Sequence, residues 1–192
     1  MNFVANTRVR LCGEVPIDLP NVTMSNGIKI ALFDPYDMTN ARKVIMCLKP
    51  FFATQKRNFG FETIVVPATK PIPIAWHLAL EFDYNLVILK KEVKPYYEPW
   101  KSFKCKSITS DNENEMYITT SDFSKLYHKK VIFFDDVLST GVTYEAAKKF
   151  LIENCVVSEL KSIFVFKEGT SYKDSDEISY LGVLPEPEKL DA

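Results

Sequence analysis

The feature that most constrains the fold is an apolar run followed by two acids, a loop of small residues and a helical pattern. Residues 131–134 (Val-Ile-Phe-Phe) are β-branched or aromatic, which is typical of a strand buried on both faces. In residues 144–153, apolar side chains recur at helical spacing. The order of strand, loop and helix predicts an α/β fold in which this strand lies in the middle of a parallel sheet.

The loop between this strand and helix has the composition of an anion site. A loop that leads into a helix presents unpaired backbone N–H groups and the positive end of the helix dipole, which attract anions. Gly141 permits a positive φ or a close approach of the backbone, and the hydroxyl groups add hydrogen-bond donors. We therefore expect one phosphate to bind at Ser139, Thr140, Gly141, Val142 and Thr143.

Two acids, Asp135 and Asp136, end the predicted strand immediately before the loop. Neighbouring side chains alternate between the two sides of a strand, so we expect the acids to have different roles. A carboxylate next to a phosphate is unfavourable unless it binds something else, and sugar hydroxyls or Mg²⁺ are the candidates. The alternative is an ordinary buried strand followed by a helix that Asp136 or Ser139 caps. Capping requires only one polar residue, so it does not explain the whole run of acids and hydroxyl residues.

Residues 131–143 resemble the phosphoribosyl pyrophosphate (PRPP) signature of the type I phosphoribosyltransferases, and all thirteen positions fit that pattern. The resemblance implies that residues 139–143 hold the 5′-phosphate of PRPP. It implies that Asp135 and Asp136 are catalytic, hold the ribose hydroxyls and help to bind Mg²⁺ as the cofactor. It also implies the fold of this family, a central and mostly parallel sheet flanked by helices, with a small N-terminal hood that covers the base.

A single domain of this type accounts for the chain of 192 residues, which is long enough for a substantial core. We expect residues 1–34 to form the hood, residues 35–185 the core and residues 186–192 a polar tail. Turn signals at Asn26-Gly27 predict short strands in the hood.

A second strand–loop–helix unit is predicted from a strand at residues 61–66 and a helix at residues 74–80. Residues 70–75 (Lys-Pro-Ile-Pro-Ile-Ala) are similar to the pyrophosphate loop of some family members. This likeness implies that Thr69 and Lys70 bind pyrophosphate. Pro71 stands where a glycine is expected, which removes one N–H donor from the loop.

Two further lysines follow a predicted strand at residues 85–89. Lys90 and Lys94 lie at its C-terminal end, where ligands bind in open α/β sheets. The segment resembles an Arg-Lys-Lys motif of the family in which a lysine contacts the phosphates of PRPP, with Leu89 in place of the arginine. The resemblance implies that Lys90 and Lys94 bind pyrophosphate, and a solvated charge run is the alternative.

Three other segments have predicted structures that bear on the site. A helix is predicted from Pro35 to about Gln55, with Asp34 as a candidate cap. Residues 95–114 are polar and irregular, which is typical of a functional lid, and the family has a flexible loop there that closes over PRPP. Residues 106–110 and 116–119 are predicted to form a β-hairpin.

The candidate base-binding residues are Phe33 and Lys167. The family's hood covers the base, so Phe33 is expected to line it, with a place in the core as the alternative. Lys167 occupies the place of a lysine that contacts the oxo group in 6-oxopurine enzymes. Ser139 occupies the place of an aspartate that acts near the base in guanine and hypoxanthine enzymes, and a hydroxyl cannot replace it as an acid or base.

The resemblance therefore implies a Mg²⁺-dependent purine phosphoribosyltransferase. It would form a nucleoside 5′-monophosphate and pyrophosphate from PRPP and a purine base, with adenine favoured over hypoxanthine, guanine and xanthine. A non-catalytic, PRPP-sensing regulator of the same fold is the alternative, and Pro71 and Leu89 motivate it.

Composition restricts the partners and the compartment. The chain has 24 basic and 25 acidic residues, so its charge suggests no nucleic-acid or membrane partner. The four cysteines are scattered without a Cys-x-x-Cys pair, which argues against a zinc site and a disulfide framework: Cys12, Cys47, Cys105 and Cys155. No leader or long apolar run is apparent, so we expect a cytoplasmic protein. Because family members are commonly dimers, a homodimer is expected.

Overall fold

The computed structural model describes residues 3–95, 99–106 and 113–189. The elements in chain order are β1 (Phe3–Leu11), β2 (Val15–Thr23), β3 (Ile28–Ala31), α1 (Met38–Phe59), β4 (Thr63–Pro67), α2 (Ile72–Phe82), β5 (Asn85–Leu89), β6 (Pro99–Lys106), β7 (Glu113–Thr119), α3 (Thr120–Phe123), β8 (Lys130–Leu138), α4 (Val142–Glu153), β9 (Glu159–Glu168), β10 (Ile178–Leu184) and β11 (Glu188–Lys189). Within these described residues, none of the helices is long and apolar enough to span a membrane.

The core is a five-stranded sheet with the order β10-β9-β8-β4-β5, and all its neighbouring strands are parallel. β8 is its middle strand, as the sequence predicts. Parallel pairing brings the carboxyl ends of β4 and β8 to the same edge of the sheet, so the loops that follow them lie side by side.

Successive residues of β8 pack on opposite faces of this sheet, which explains its uninterrupted apolar run. Ile132 and Phe134 belong to the apolar cluster that contains α1, α2 and the hood. Val131 and Phe133 belong to the cluster that contains α4 and β7. A strand covered on both faces needs apolar residues at every position.

The hood is an antiparallel sheet with the order β1-β2-β3-β11. The turn at Asn26-Gly27 is confirmed, with Gly27 at φ 78°. The last strand of this sheet comes from the predicted polar tail, since Glu188 pairs with Lys29 of β3. Their side chains also form an ion pair of 3.2 Å. The tail therefore returns to the hood and covers its edge strand.

Helix α1 begins three residues later than predicted and continues past Pro50. Asp37 caps it by accepting a hydrogen bond of 2.9 Å from the Thr39 N–H, whereas Asp34 accepts from Tyr36 in a preceding turn. Its buried face continues beyond the proline to Phe52 and Gln55, and packing of that face outweighs the one backbone hydrogen bond that Pro50 removes.

Strands β6 and β7 form the predicted hairpin, and Lys106 at the end of β6 pairs with Glu113 of β7. Phe103 of this hairpin stacks on Phe150 of α4 with ring centroids 4.7 Å apart. A bridge between Lys90 and Tyr117 joins β7 to the end of β5. Residues 99–106 of the predicted irregular lid form strand β6 instead, and residues 96–98 and 107–112 lie outside the described residues.

Candidate active site

Two adjoining cavities lie at the carboxyl ends of β4 and β8, with volumes of about 350 and about 280 Å³. The larger is lined by residues 135–144 and by the hood, and the smaller by residues 67–71, Lys91 and Met116. Both are also lined by the same four side chains: Lys70, Asp135, Asp136 and Thr143. The two cavities therefore form one continuous cleft.

All five residues predicted to bind the phosphate line the larger cavity, namely Ser139, Thr140, Gly141, Val142 and Thr143. Gly141 is the N-cap of α4 with φ 78°, and the cap makes no side-chain hydrogen bond to the first turn. A Cβ at this glycine would lie 2.1 Å from the ring of Tyr172. The position therefore excludes other residues by backbone conformation and by space, and the helix presents first-turn N–H groups to the cavity.

The acids do not end the strand, because β8 continues through them to Leu138. Val137 and Leu138 still pair with β9, which extends the ladder beyond the apolar run. Asp135 accepts a hydrogen bond of 2.8 Å from the Asp136 N–H. Burial raises the pKa of Asp135 well above its ordinary value, and the charge of Asp136 raises it further. The nearby cation is Lys70, whose Nζ is 3.9 Å from Asp136 Oδ2.

The smaller cavity contains the predicted pyrophosphate residues Thr69 and Lys70. Pro71 is the N-cap of α2, and another proline lies in the first turn of the helix. Neither proline has an N–H group, and the Ile72 N–H bonds to the Thr69 carbonyl at 3.3 Å. The two prolines therefore leave this loop with fewer backbone donors than the loop before α4, and Thr69 and Lys70 add side-chain donors.

Lys91 lines the smaller cavity, whereas neither Lys90 nor Lys94 lines either cavity. Lys90 Nζ is 2.9 Å from Asp122 Oδ2, and Lys94 Nζ is 2.9 Å from Glu92 Oε2. Burial acts to raise the pKa of Asp122, but hydrogen bonds, the largest from Lys90, hold it below its ordinary value. The pyrophosphate roles assigned to Lys90 and Lys94 stay predictions, and their placement does not favour them. Successive side chains at the end of a strand point to opposite faces, so Lys90 and Lys91 cannot both face the cleft. This alternation is the sequence signal that would have indicated Lys91 as a cavity residue.

Phe33 lines the larger cavity, yet it is only 2% exposed. Its ring packs edge-to-face on Phe166, with centroids 5.5 Å apart. Lys167 does not line that cavity, because its Nζ is paired with Asp174 at 2.7 Å and lies over the Tyr180 ring. The structure thus brings Phe33 to the cleft and turns Lys167 away from it.

Glu168 is a cavity residue that the sequence analysis does not single out. It is half-buried at the end of β9 and lines the larger cavity. Burial and the charge of Asp136 raise the pKa of Glu168, and a hydrogen bond from Ser139 opposes them. The sequence signal for Glu168 was an acidic residue at the C-terminal end of a predicted core strand, where ligands bind in open α/β sheets.

The family model of the phosphoribosyl transferase domain matches residues 49–189. The HGPRTase-like protein 2 of Haloquadratum walsbyi is 34% identical over 92 residues, which cover 48% of this chain and 47% of that protein. The transcriptional regulator GfcR of Methanocaldococcus jannaschii is 28% identical over 131 residues, which cover 68% of this chain and 53% of that protein. The chain spans about half the length of these curated relatives.

Two solved structures have the same fold at low identity. The adenine phosphoribosyltransferase of Thermoanaerobacter pseudethanolicus is 21% identical with a TM-score of 0.65, covering 86% of this chain and 94% of that one. The adenine phosphoribosyltransferase of Saccharomyces cerevisiae, solved with an iminoaltritol bisphosphate and adenine, is 18% identical with a TM-score of 0.60, covering 85% and 84%. With the domain model matching well over half of the sequence, the chain belongs to the phosphoribosyltransferase family, as residues 131–143 predict.

Proposed function

We propose that the protein is a purine phosphoribosyltransferase that converts PRPP and a purine base, preferably adenine, into a nucleoside 5′-monophosphate and pyrophosphate. One observation carries the proposal. The anion-binding loop, the acidic pair and the apolar wall of the hood line a single cavity of about 350 Å³, and a second cavity lined by Lys70 and Lys91 adjoins it at the acids.

The three parts of PRPP fit this arrangement in order along the cleft. The 5′-phosphate binds the N–H groups and hydroxyls of residues 139–143 at the start of α4. The ribose hydroxyls donate hydrogen bonds to Asp135 and Asp136. Pyrophosphate occupies the smaller cavity, where Thr69, Lys70 and Lys91 provide donors and positive charge.

The acidic pair suits Mg²⁺. Among the described residues, no group of three or more His, Cys, Asp or Glu side chains could hold a metal without help from a substrate. Mg²⁺ is commonly held by one or two carboxylates together with substrate phosphates. Burial and the charge of Asp136 raise the pKa of Asp135, and the opposing charge of Lys70 does not cancel them, so a bound cation would stabilise the ionised pair. Asp135 and Asp136 would hold the ion, which would stabilise the charge that develops on the leaving pyrophosphate.

In the reaction, the bond from C1′ to pyrophosphate breaks, a bond from the base nitrogen to C1′ forms, and the proton of that nitrogen passes to an oxygen of the departing pyrophosphate. Positive charge develops on the ribose while negative charge leaves with pyrophosphate. Lys70 is placed to stabilise the leaving group because it lines both cavities. The apolar hood side chains reduce the access of water to C1′, which would otherwise hydrolyse PRPP.

Two residues support adenine as the preferred base. Ser139 places a hydroxyl where guanine and hypoxanthine enzymes have an aspartate. Lys167, which would contact a 6-oxo group, is held by Asp174 outside the cavity.

The test is an activity assay with PRPP, Mg²⁺ and each of adenine, hypoxanthine, guanine and xanthine, with detection of both products. Adenine is expected to give the highest kcat/KM. Turnover with oxopurines alone would overturn the base assignment, and no turnover with any base would overturn the enzymatic proposal.

A second candidate function is a PRPP-sensing regulator. Pro71, which removes an N–H group from the smaller cavity, and the likeness to the regulator GfcR both favour it. Calorimetric binding of PRPP without release of pyrophosphate in the presence of any base would support this candidate over the enzyme.

A further inference from the structure

Glu168 is a carboxyl in the larger cavity that the reaction outlined above does not use. It is the last residue of β9, and Lys167 before it pairs with Leu138 of β8. This register puts Glu168 level with Ser139, whose hydroxyl acts to lower the pKa of the Glu168 carboxyl. The carboxyl is thus placed beside the first residue of the anion-binding loop.

Glu168 also lies at the junction of the core and the hood. Two residues before it, Phe166 packs against Phe33 of the hood. The next residue, Gly169, donates its N–H to the Leu184 carbonyl at 3.2 Å, and Pro187 beyond it lines the same cavity. A carboxyl at this junction faces the space between the anion-binding loop and the hood.

That space is where the base lies if the phosphate and the ribose occupy the loop and the acids. Its hood wall is apolar and suits a flat aromatic ring, being formed by Ile28, Ile30, Leu32 and Phe33. Ring nitrogens and amino groups still require hydrogen-bond partners at that wall. Among the described lining residues, Asn26 and Glu168 are polar side chains that belong to neither the anion-binding loop nor the acidic pair.

The protonation state of a carboxyl determines which purine edge it matches. A neutral carboxyl offers one donor and one acceptor, whereas a carboxylate only accepts. The amino group of adenine and its neighbouring ring nitrogen are a donor and an acceptor, so they match the neutral form. The N1–H and amino group of guanine are both donors, so they match the carboxylate.

We propose that Glu168 determines the choice of purine by pairing its carboxyl with the amino group and the neighbouring ring nitrogen of adenine. The inference rests on the proposed function, because it requires a purine in this cavity. Burial and the charge of Asp136 raise the pKa of Glu168, which shifts this carboxyl toward the neutral form relative to an exposed glutamate. The opposing influences are the hydrogen bond from Ser139 and the charge of Lys70.

The experiment compares the binding of AMP and of ribose 5-phosphate, which lacks the base, by calorimetry. Glu168→Ala is expected to weaken AMP binding about tenfold or more, and ribose 5-phosphate binding less than twofold, because two hydrogen bonds to the base are lost. Glu168→Gln retains a donor and an acceptor and is expected to bind AMP within threefold of the wild type. Glu159→Gln is the matched control, because this acid begins the same strand and pairs with Lys130 at the surface.

The pH dependence provides a second readout. The ratio of AMP affinity to ribose 5-phosphate affinity removes the titration of the phosphate that both ligands share. In the wild type this ratio falls as the pH rises through the pKa of Glu168, and in Glu168→Gln it stays constant. Asp136 and Lys70 are the charged groups that act on Glu168 from neighbouring elements, while Glu186 behind Gly169 is bonded to Thr170. The substitution Glu168→Gln alters none of these three groups.

The outcomes separate the two proposals. If adenine is turned over but Glu168→Ala leaves the AMP affinity unchanged, or weakens both ligands equally, the inference is wrong and the proposed function remains. If the wild type binds neither ligand, both are overturned. Melting temperatures of the variants show whether each is folded, and the Gln variant keeps the size of the side chain.

Discussion

The loops after β8 and β4 follow neighbouring parallel strands and open into adjoining cavities, but they are built differently. The β8–α4 loop ends in Gly141 in the left-handed region, and the first turn of α4 contains no proline. The β4–α2 loop ends in Pro71 in the right-handed region, with a second proline in the next turn. One loop therefore keeps its backbone donors and the other has lost two of them.

This difference predicts two ways of holding an anion. Backbone N–H groups at a helix start are already fixed when the ligand arrives, so binding orders few additional groups. Lysine side chains must lose rotamer freedom when they contact a phosphate. We therefore expect the β8–α4 loop to depend on one backbone conformation, and the smaller cavity to depend on charge.

The largest expected effect is that of Gly141→Ala. The new Cβ would lie 2.1 Å from the Tyr172 ring at a residue with φ 78°. The strained backbone and the blocked space both act on the loop, so its N–H groups are expected to move away from the proposed phosphate position. Affinity for ribose 5-phosphate is expected to fall about a hundredfold or more by calorimetry, which corresponds to about 2.7 kcal/mol.

Gly13→Ala is the matched control for this substitution. Gly13 has φ 76°, but a Cβ there meets nothing within 4 Å. It is expected to lower the free energy of unfolding by about 1 kcal/mol through the left-handed conformation alone, without changing ligand affinity. If both variants lose affinity equally, the dependence on one backbone conformation is disproved.

Asp135 lines both cavities and so lies between the two loops. Its raised pKa means that the folded protein binds more protons than the unfolded chain between the ordinary and the raised value. The free energy of unfolding therefore falls as the pH rises through that window. Asp135→Asn removes this cost, so without ligand it melts a few degrees higher than the wild type at pH 7, at about 2–4 °C per kcal/mol.

This gain is expected to shrink as the pH falls and to disappear below about pH 3, where the aspartate is protonated in both states. Turnover of the variant is expected to fall in the activity assay, because the proposed contacts of Asp135 with the ribose and Mg²⁺ would be lost. Asp176→Asn, at an exposed acid, is the control and leaves both quantities unchanged. A lower melting temperature for Asp135→Asn at pH 7 would contradict the assigned cost of ionisation.

The parts of the molecule that the sequence predicts are those in which pattern and chemistry coincide. Residues 131–143 combine a buried strand, two acids and an anion loop, so each feature supports the others. The start of α1 lacked such support. Asp34 and Asp37 each accept a hydrogen bond from the backbone N–H two residues later, but only Asp37 caps the helix. Local hydrogen bonding of this kind cannot distinguish a turn from a cap.

Side-chain direction at strand ends was the main element that sequence could not provide. Lys90 turns to Asp122, which lies 32 residues away in the chain and is held by the cap of α3. That partner leaves Lys91 to line the smaller cavity. Glu168 was missed for the same reason, since its position depends on the packing of the hood against β9.

The smallest expected effect tests the placement of these lysines. Lys91→Ala is expected to weaken pyrophosphate binding in the presence of Mg²⁺ about tenfold, because one charged donor is lost from an exposed site. It is expected to leave ribose 5-phosphate binding unchanged, since Lys91 lines the smaller cavity and not the larger one. Lys94→Ala is the matched control, and equal losses in the two variants would show that the cavity attracts pyrophosphate by its overall positive field. A loss confined to Lys91→Ala would show that side chains replace the N–H groups that the prolines removed.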